Sequence, residues 1–247
     1  MLHLASFLAG LKYRLGFNRK WAPLLTHTRD DDRNEGTRHE IQYSLELLNL
    51  IGITEDFVKP RLVVGQEQIN NIKSKLQLFG LNISKKNVLI QPGSNFVEKR
   101  WPKEYYIDLI SRILNKSDVN VLLSGIESEM DLCKSIVEGV DKEIYNLCGR
   151  ISLKELVPLI KSVDLFVGND SGPMHIAYCC ETPLVTIFGR GTKGAGPVRW
   201  APKGEKCLVF HENAGCDDCL NENCPFDFKC LKMIHSKDVF KGVMSFL

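Results

Sequence analysis

Several features that would assign a protein to a familiar class are missing from this sequence of 247 residues. No run approaches the roughly 20 apolar residues that a membrane-spanning helix requires. The apolar start MLHLASFLAGL is short and lacks the basic residues that open a signal peptide, so we interpret it as the end of a helix. The 32 Lys and Arg nearly balance the 30 Asp and Glu, and no overall charge therefore indicates a nucleic-acid partner.

Cysteine, in contrast, is abundant, with nine residues in a chain long enough to bury a core without disulfides. Five of them are scattered or lie in apolar runs: Cys133, Cys148, Cys179, Cys180 and Cys207. This predicts that they are reduced, buried thiols in a cytoplasmic protein. The other four lie in one segment, Cys216-x2-Cys219-x4-Cys224-x5-Cys230. Four thiols could hold a structural zinc ion tetrahedrally, although this spacing is looser than that of two C-x2-C pairs.

From Asn87 onward, buried-type strands alternate with helices. The strands read NVLIQ, VNVLLSG, DLFVGND and PLVTIFG. The predicted helices are Lys103–Asn115, Ser128–Val137, Ser152–Ser162 and Pro173–Cys180. Apolar strands alternating with helices predict an α/β fold whose parallel sheet is covered on both faces. Ligands bind such sheets beyond the carboxyl ends of the strands.

The first part of the chain is less regular. LKYRLGF predicts a strand, and apolar spacing predicts helices over His39–Ile51 and Gln66–Phe79, with an extended stretch, RLVV, between them. The run Asp30-Asp31-Asp32 lies in a polar segment. We interpret it as a solvated turn and not as a D-x-D metal motif.

Two loops after predicted strands carry charged groups. In Gln91–Pro102, Ser94 is followed by Lys99 and Arg100 before a helix, which suits an anionic ligand such as a phosphate as well as it suits a solvated basic turn. In the second loop, Glu127 and Glu129 follow a strand, where an acid can accept hydrogen bonds from ribose. Acids are also favoured at any helix N-terminus, which is the stronger interpretation of that loop taken alone.

Two further loops follow the next strands. In VGNDSGPMHIA, Asp170 and Ser171 end a buried strand, and Gly172 allows a ligand to approach the backbone closely. The N–H groups of the next helix point at the same place, and His175 lies one turn further on, which favours a diphosphate site over a simple N-cap. The last loop, FGRGTKGAGP, either covers a nucleotide or merely connects two elements.

The four loops, in this order, resemble glycosyltransferase family 9, the ADP-heptose:lipopolysaccharide heptosyltransferases and their relatives. The resemblance rests on QPGSNFVEKRWPKEYYIDLI, VLLSGIESE and the run from CGRISLKELV to PLVTIFG, and extends from about Leu8 to the C-terminus. It implies a GT-B-type α/β architecture with two Rossmann-like domains. Residues 1–82 would be a remnant of the N-terminal acceptor domain, and residues 83–247 a complete C-terminal donor domain.

The resemblance also implies which residues bind the nucleotide-sugar donor. In the family's K-x-W-P segment the lysine contacts the donor phosphate, which points to Lys99. The family's D-[TS]-G-x-x-H-x-A segment lies against the donor sugar and diphosphate. It matches Asp170, Ser171, Gly172 and, less closely, His175.

Three further positions complete the candidate donor site. Glu127 or Glu129 would take the place of the family's ribose contact, and the residues alone do not decide between them. Thr192 falls in the segment that resembles the family's G-x-T, beside the donor sugar. Ser94 belongs to the same set because it lies in the loop that carries Lys99.

Glycosyl transfer requires that the leaving diphosphate is stabilised, which Lys99 and helix N–H groups can do without a metal, so we expect no cofactor. It also requires a base for the acceptor hydroxyl. The base that the family implies is an aspartate near the family's N-terminus, and no residue here matches its motif. Because two Rossmann-like domains need about 150 residues each, we expect an N-terminally truncated chain whose general base lies upstream of Met1.

Three functions remain in competition. The first is a heptosyltransferase-type enzyme that passes a sugar from ADP-heptose to a lipopolysaccharide-core or related lipid-linked glycan. The second is a nucleotide-sugar-binding fragment that lacks the base, and the third, more distant, is an oxidoreductase on a Rossmann sheet. A lipid-linked acceptor implies work in the cytoplasm at the inner membrane face. The basic residues there would be Lys12, Arg14, Arg19 and Lys20, although a solvated face explains them equally well.

Overall fold

The computed structural model describes residues 2–82, 84–216, 219 and 223–247. It divides into two compact units. The first unit contains the residues up to Lys59 together with Lys193–Ala201, and the second contains Pro60–Thr192 and Pro202–Leu247. This division differs from the predicted boundary after residue 82.

The helices and strands of the described residues, in chain order, are α1 (Leu2–Leu8), β1 (Leu15–Phe17), β2 (His27–Arg29), α2 (Glu40–Glu46), α3 (Gln66–Leu78), β3 (Lys86–Gln91), α4 (Lys103–Lys116), β4 (Val119–Leu123), α5 (Met130–Glu138), β5 (Tyr145–Asn146), α6 (Leu153–Ser162), β6 (Leu165–Asn169), α7 (Gly172–Cys179), β7 (Leu184–Phe188), α8 (Pro197–Trp200), β8 (Cys207–His211), α9 (Lys229–Lys232) and α10 (Ser236–Met244). Short 3-10 helices occur as well, among them Val97–Lys99 and Glu127–Glu129.

The second unit is built on a parallel sheet of six strands in the order β5-β4-β3-β6-β7-β8. The strands β4, β6 and β7 are buried along their whole length, as expected when helices cover both faces of a sheet. The amphipathic helices α4, α5 and α10 contribute their apolar sides to the core, together with Trp101. The predicted α/β fold with a parallel sheet is confirmed.

Most elements of this unit begin and end within a few residues of their predicted bounds. Ser152 caps α6 in a capping box with Glu155. The strands β5 and β8 were not predicted, since one has two residues and the other is only partly buried. Helix α3 packs against α6 through Lys75, whose Nζ lies 2.7 Å from Glu155 Oε1, and this packing places α3 in the second unit.

The first unit contains β1 and β2, which form a parallel pair. The predicted helix His39–Ile51 is shorter than expected, because α2 ends at Glu46 and a 3-10 helix follows up to Ile51. The predicted strand LKYRLGF is limited to its last three residues, and RLVV is not a strand. Helix α1 confirms the interpretation of the apolar start.

Two residues of the acidic run, Asp31 and Asp32, are ion-paired, so its interpretation as a solvated turn was wrong for them, while Asp30 is exposed. Asp31 binds Arg33, with 2.8 Å between Nε and Oδ1, and also pairs with Arg19. These guanidinium groups, Arg33 first, hold the pKa of Asp31 well below its usual range. Asp32 pairs with Arg38.

Within the described part of the chain, no helix combines the length and the apolar character that crossing a membrane requires. Of the five scattered cysteines, Cys133, Cys148 and Cys180 are buried. Cys179 and Cys207 are only half-buried.

Candidate functional site

The candidate residues of the second unit lie where the sheet changes direction. The chain runs outward from β3 through β4 to β5, and then returns to β6, which pairs with the other side of β3. The loops after β3 and β6 therefore leave the sheet side by side at its carboxyl edge. In open α/β sheets this switch point is the place where ligands bind.

The two loops meet in an ion pair between Lys99 and Asp170. Lys99 ends the 3-10 helix after β3, and its Nζ lies 2.6 Å from Asp170 Oδ2. Asp170 is only 5% exposed, while the lysine side chain keeps slightly more access to solvent. The lysine is a cation at the ligand-binding edge of the sheet, and the carboxylate of Asp170 fixes its position. Such a cation is a suitable partner for an anionic ligand.

Ser171 provides a second sign of a ligand at the same edge. It occupies the N-cap position of α7, but its side chain makes no capping hydrogen bond. Its Oγ is buried and finds no hydrogen-bond partner among the described residues. Buried hydroxyls almost always have a hydrogen-bond partner. A buried hydroxyl without one, beside a helix N-terminus, therefore indicates a ligand that supplies the partner.

The space next to Ser171 is open. A Cβ added to Gly172 would meet no atom within 4 Å. At this end of α7 the Gly172 N–H is the one without a partner inside the helix, because Pro173 has no N–H and those of Met174 and His175 donate to the Ser171 carbonyl at 3.1 and 3.4 Å. The start of α7 therefore leaves room for a ligand directly at the backbone.

His175 lies one turn into α7 and belongs to the same electrostatic cluster. Burial lowers the pKa of His175, and the positive charge of Lys99 adds to this effect, while Asp170 opposes it. The imidazole is therefore neutral near pH 7 and adds no second positive charge to the site.

Asn169 is a residue of this site that sequence reasoning missed. Its fully buried side chain joins the end of β6 to the loop after β3. Its Oδ1 accepts hydrogen bonds from the Trp101 backbone N–H, at 3.1 Å, and from the Tyr106 hydroxyl, at 2.9 Å, while its Nδ2 donates to the carbonyls of Pro92, at 2.8 Å, and Gly93, at 3.4 Å. A polar side chain at the last position of an otherwise apolar strand was the available signal.

The two candidate acids of the loop after β4 differ in their burial and their hydrogen bonds. Glu129 is buried, and its Oε2 accepts hydrogen bonds from the Ile126 N–H, at 3.0 Å, and from Gln91 Nε2, at 3.2 Å. Any side chain at Gly93 would collide with the same carboxylate. Glu129 therefore holds two loops together. Glu127, in contrast, is exposed.

The other two candidates lie at the borders of the site. Ser94 is buried, and its Oγ accepts a hydrogen bond from the Phe96 N–H at 3.4 Å, so it shapes the loop that carries Lys99. Thr192 follows β7 and lines a cavity of about 110 Å³ with Arg190, Cys216, Cys219 and others. The site thus brings Lys99, Asp170 and His175 together, while Thr192 has a separate position.

Three glycines after β7, at positions 189, 191 and 194, have the spacing G-x-G-x-x-G. In a dinucleotide-binding turn this motif opens a helix. Here the chain continues in turns until α8 begins at Pro197, and α8 has only four residues. The spacing therefore gives no support to an oxidoreductase.

Three of the four clustered cysteines, Cys216, Cys219 and Cys230, line one small cavity after β8. Burial raises the pKa of the Cys230 thiol, and Cys219, Cys224 and Cys216 raise it further. Within the described residues, which omit 217, 218 and 220–222, no three His, Cys, Asp or Glu side chains are arranged to hold a metal ion. The sulfur atoms as they stand therefore do not form a finished zinc site.

The fold defines a Rossmann-like α/β protein, and its candidate site lies at the carboxyl edge of the parallel sheet. The chain belongs to glycosyltransferase family 9 (heptosyltransferase), whose model matches residues 4–229. This confirms the resemblance inferred from the loops.

The relatives found are bacterial. Lipooligosaccharide heptosyltransferase 2 of Campylobacter jejuni is 29% identical over 172 residues, which cover 68% of this chain and 53% of the relative. Lipopolysaccharide core heptosyltransferase OpsX of Haemophilus influenzae is 28% identical over 82% of this chain and 58% of the relative. The chain thus spans little more than half the length of these relatives. The solved structure of E. coli ADP-heptose lps heptosyltransferase II superposes with a TM-score of 0.78 at 23% identity, over 99% of this chain and 72% of the other, which supports the GT-B-type fold.

Proposed function

We propose that the second unit binds a nucleotide-sugar donor, ADP-heptose in the first place, as the donor domain of a heptosyltransferase. The sugar would be passed to a lipopolysaccharide-core or related lipid-linked glycan, and the first unit would belong to the domain that binds this acceptor. The observation that carries the proposal is the buried, unsatisfied Ser171 hydroxyl beside the Lys99–Asp170 pair. Membership in glycosyltransferase family 9 supplies the ligand class.

Four of the candidate residues contact the donor through their side chains in this proposal. Lys99 and Ser171 hold the diphosphate, together with the backbone N–H of Gly172. Glu127 accepts hydrogen bonds from the ribose, because it is exposed at a strand end while Glu129 is occupied with the loops. Thr192 approaches the donor sugar from the loop after β7.

The arrangement suits the departure of a nucleoside diphosphate. In transfer, the bond between the sugar's anomeric carbon and the β-phosphate oxygen breaks, and a bond to the acceptor oxygen forms. The electron pair of the broken bond stays on the diphosphate, whose growing negative charge Lys99 and the Gly172 N–H stabilise. The acceptor's proton goes to a general base, and we assign no residue of this chain to that role.

A second candidate function is a binding fragment that holds the donor without transferring the sugar. It is favoured by the placement of all the candidate donor residues in the second unit. A transfer assay with ADP-heptose and a core-oligosaccharide acceptor, run beside a donor titration, distinguishes the two. Donor binding with transfer supports the enzyme, binding alone supports the fragment, and the lack of both contradicts the proposal.

Replacement of Ser171 tests the donor site, because it should weaken donor binding without lowering the stability of the ligand-free protein. We expect Ser171→Ala to weaken ADP-heptose binding roughly fivefold, about 1 kcal/mol, because one hydrogen bond is lost. The free energy of unfolding of the ligand-free protein should stay the same or rise, because an unsatisfied buried hydroxyl is removed. Calorimetric titration and denaturant unfolding measure the two effects.

A matched control is available in Ser152, which caps α6 and accepts a hydrogen bond from the Glu155 N–H. Ser152→Ala should lower the free energy of unfolding by about 1 kcal/mol and leave donor binding unchanged. If Ser171→Ala behaves like this control, the Ser171 hydroxyl is not a ligand-binding group.

The cysteine segment allows a further proposal, a structural zinc ion bound by Cys216, Cys219, Cys224 and Cys230. The support is their spacing, together with the small cavity that Cys216, Cys219 and Cys230 line. A structural site is close to stoichiometric. Elemental analysis of purified protein should thus find about one zinc per chain, and less than about 0.2 would remove the hypothesis.

A lipid-linked acceptor would place the protein in the cytoplasm, with peripheral contact to the inner membrane face. Helix α1 has no buried residue, and Leu2 and Leu8 on it are largely exposed. Lys12 and Lys20 are exposed as well. Of the other two basic residues, Arg14 donates to the Leu24 carbonyl at 2.7 Å and Arg19 pairs with Asp31, so they contribute less to a basic surface.

A further inference from the structure

Two loops of the second unit are joined by a second ion pair, separate from the pair of Lys99 with Asp170. We call residues 92–102 the lysine loop and residues 189–192 the glycine loop. Glu98, directly before Lys99, lies in the first, and Arg190 lies in the second. The distance from Arg190 Nη1 to Glu98 Oε1 is 3.5 Å.

Both partners of this pair are withdrawn from water. The side chain of Glu98 is 6% exposed and that of Arg190 is 16% exposed. Two charges this well buried are stable only together, because either one alone would lose its hydration without compensation. Removal of either partner would leave the other charge buried and unpaired, so the two loops depend on each other at this point.

Phe96 strengthens this connection. Its ring centroid lies 5.8 Å from Arg190 Cζ and also 5.8 Å from Lys99 Nζ. A cation near an aromatic face is attracted by the ring quadrupole. One ring thus contacts the lysine of the donor site and the arginine of the glycine loop.

The backbones of the two loops are also in close contact. A Cβ added to Gly189 would lie 3.0 Å from the Glu98 carbonyl oxygen and 2.8 Å from Leu231 Cγ. Only glycine allows this approach without a shift. The two loops are therefore already packed together at Gly189, and the Glu98–Arg190 pair lies one residue beyond that contact.

We propose that Glu98 and Arg190 are positioning residues that set the location of Thr192 relative to Lys99. They thereby set the affinity for a ligand that contacts both loops. The inference rests on the proposed function, in which Lys99 binds the diphosphate and Thr192 lies beside the sugar. Neither Glu98 nor Arg190 touches the donor. They act through the residues next to them in the chain.

The test compares a ligand that spans both loops with one that does not. Glu98→Gln and Arg190→Gln should each weaken the binding of ADP-heptose roughly tenfold, and the binding of ADP much less, because ADP lacks the sugar beside Thr192. A merely structural role would lower the melting temperature and leave the ratio of the two affinities unchanged. The double variant should lose no more affinity than either single variant, because each removes the same interaction.

The matched control is an exposed ion pair far from the loops, Lys134 with Glu138, 3.8 Å apart on α5. Glu138→Gln should leave both affinities and the melting temperature unchanged. If Glu98→Gln and Arg190→Gln give the same ratio of affinities as this control, the inference is wrong.

A second measurement needs no ligand. The N–H groups of Lys99 and Arg100 donate to the carbonyls of Phe96 and Val97 at 3.1 and 2.9 Å. If the pair holds the lysine loop, Arg190→Gln should speed the hydrogen exchange of these two amides, although the substitution lies in the other loop. Unchanged exchange would contradict the positioning role even if the wild-type protein binds ADP-heptose. Faster exchange in a protein that binds no nucleotide sugar would support the loop connection and contradict the proposed function alone.

Discussion

Lys99→Met is expected to weaken the binding of ADP-heptose by roughly 30-fold, about 2 kcal/mol, while the apolar stem of the side chain is preserved. The substitution removes the cation that faces the diphosphate. It also leaves Asp170, 5% exposed, without its partner at 2.6 Å, so that a carboxylate repels the ligand that the lysine attracted. Calorimetric titration with ADP-heptose and with ADP measures the loss. An affinity equal to that of the wild type would refute the role of Lys99.

The same substitution should also reduce stability, by about 3 kcal/mol in the free energy of unfolding, because it leaves a buried charge unpaired. The double variant Lys99→Met/Asp170→Asn separates the two effects. It should recover most of the stability but none of the donor affinity. Lys85→Met is the control, since Lys85 pairs with Asp118 at 2.6 Å on the surface and should affect neither quantity.

Asn169→Asp is expected to lower the free energy of unfolding by about 3 kcal/mol and to abolish tight donor binding. The substitution preserves the shape of the side chain but removes both N–H donors, so an acid faces the carbonyls of Pro92 and Gly93. The substitution keeps an oxygen that accepts from the Trp101 N–H and the Tyr106 hydroxyl, so the loss comes from the donor side alone. Denaturant unfolding gives the stability, and titration under native conditions gives the affinity of the folded protein.

Asn120 provides a comparison for this prediction. It is 5% exposed, and its Nδ2 donates to Asn82 O at 2.7 Å and to Asn87 Oδ1 at 2.8 Å, near the amino ends of β3 and β4. Asn120→Asp should therefore cost a similar amount of stability and leave donor binding unchanged. Equal binding losses in both variants would mean that Asn169 affects binding only through overall stability.

The sheet and the place of the site followed from local patterns. Four apolar strands separated by helices define the parallel sheet, and the polar residues directly after them must gather at one edge. That is why Lys99 and Asp170 could be paired in one site although 71 positions separate them in the sequence numbering. No long-range information was needed for this step.

Other features depend on contacts that a pattern does not contain. Glu127 and Glu129 are equivalent in the sequence, and it is the burial of Glu129 and its hydrogen bonds from Gln91 and Ile126 that distinguish them. The ion pair of Asp31 with Arg33 is likewise a matter of packing, since a run of three acids usually stays in water. The position of α3 in the second unit depends on its packing against α6.

The central claim is that the carboxyl edge of the second unit's sheet holds the diphosphate of a nucleotide sugar. The most direct test is a crystal structure of the chain with ADP. We predict that phosphate oxygens lie within hydrogen-bonding distance of Ser171 Oγ and Lys99 Nζ, with the ribose hydroxyls at Glu127. ADP bound elsewhere on the protein, or in this loop region with its phosphates away from both Ser171 and Lys99, would contradict the claim.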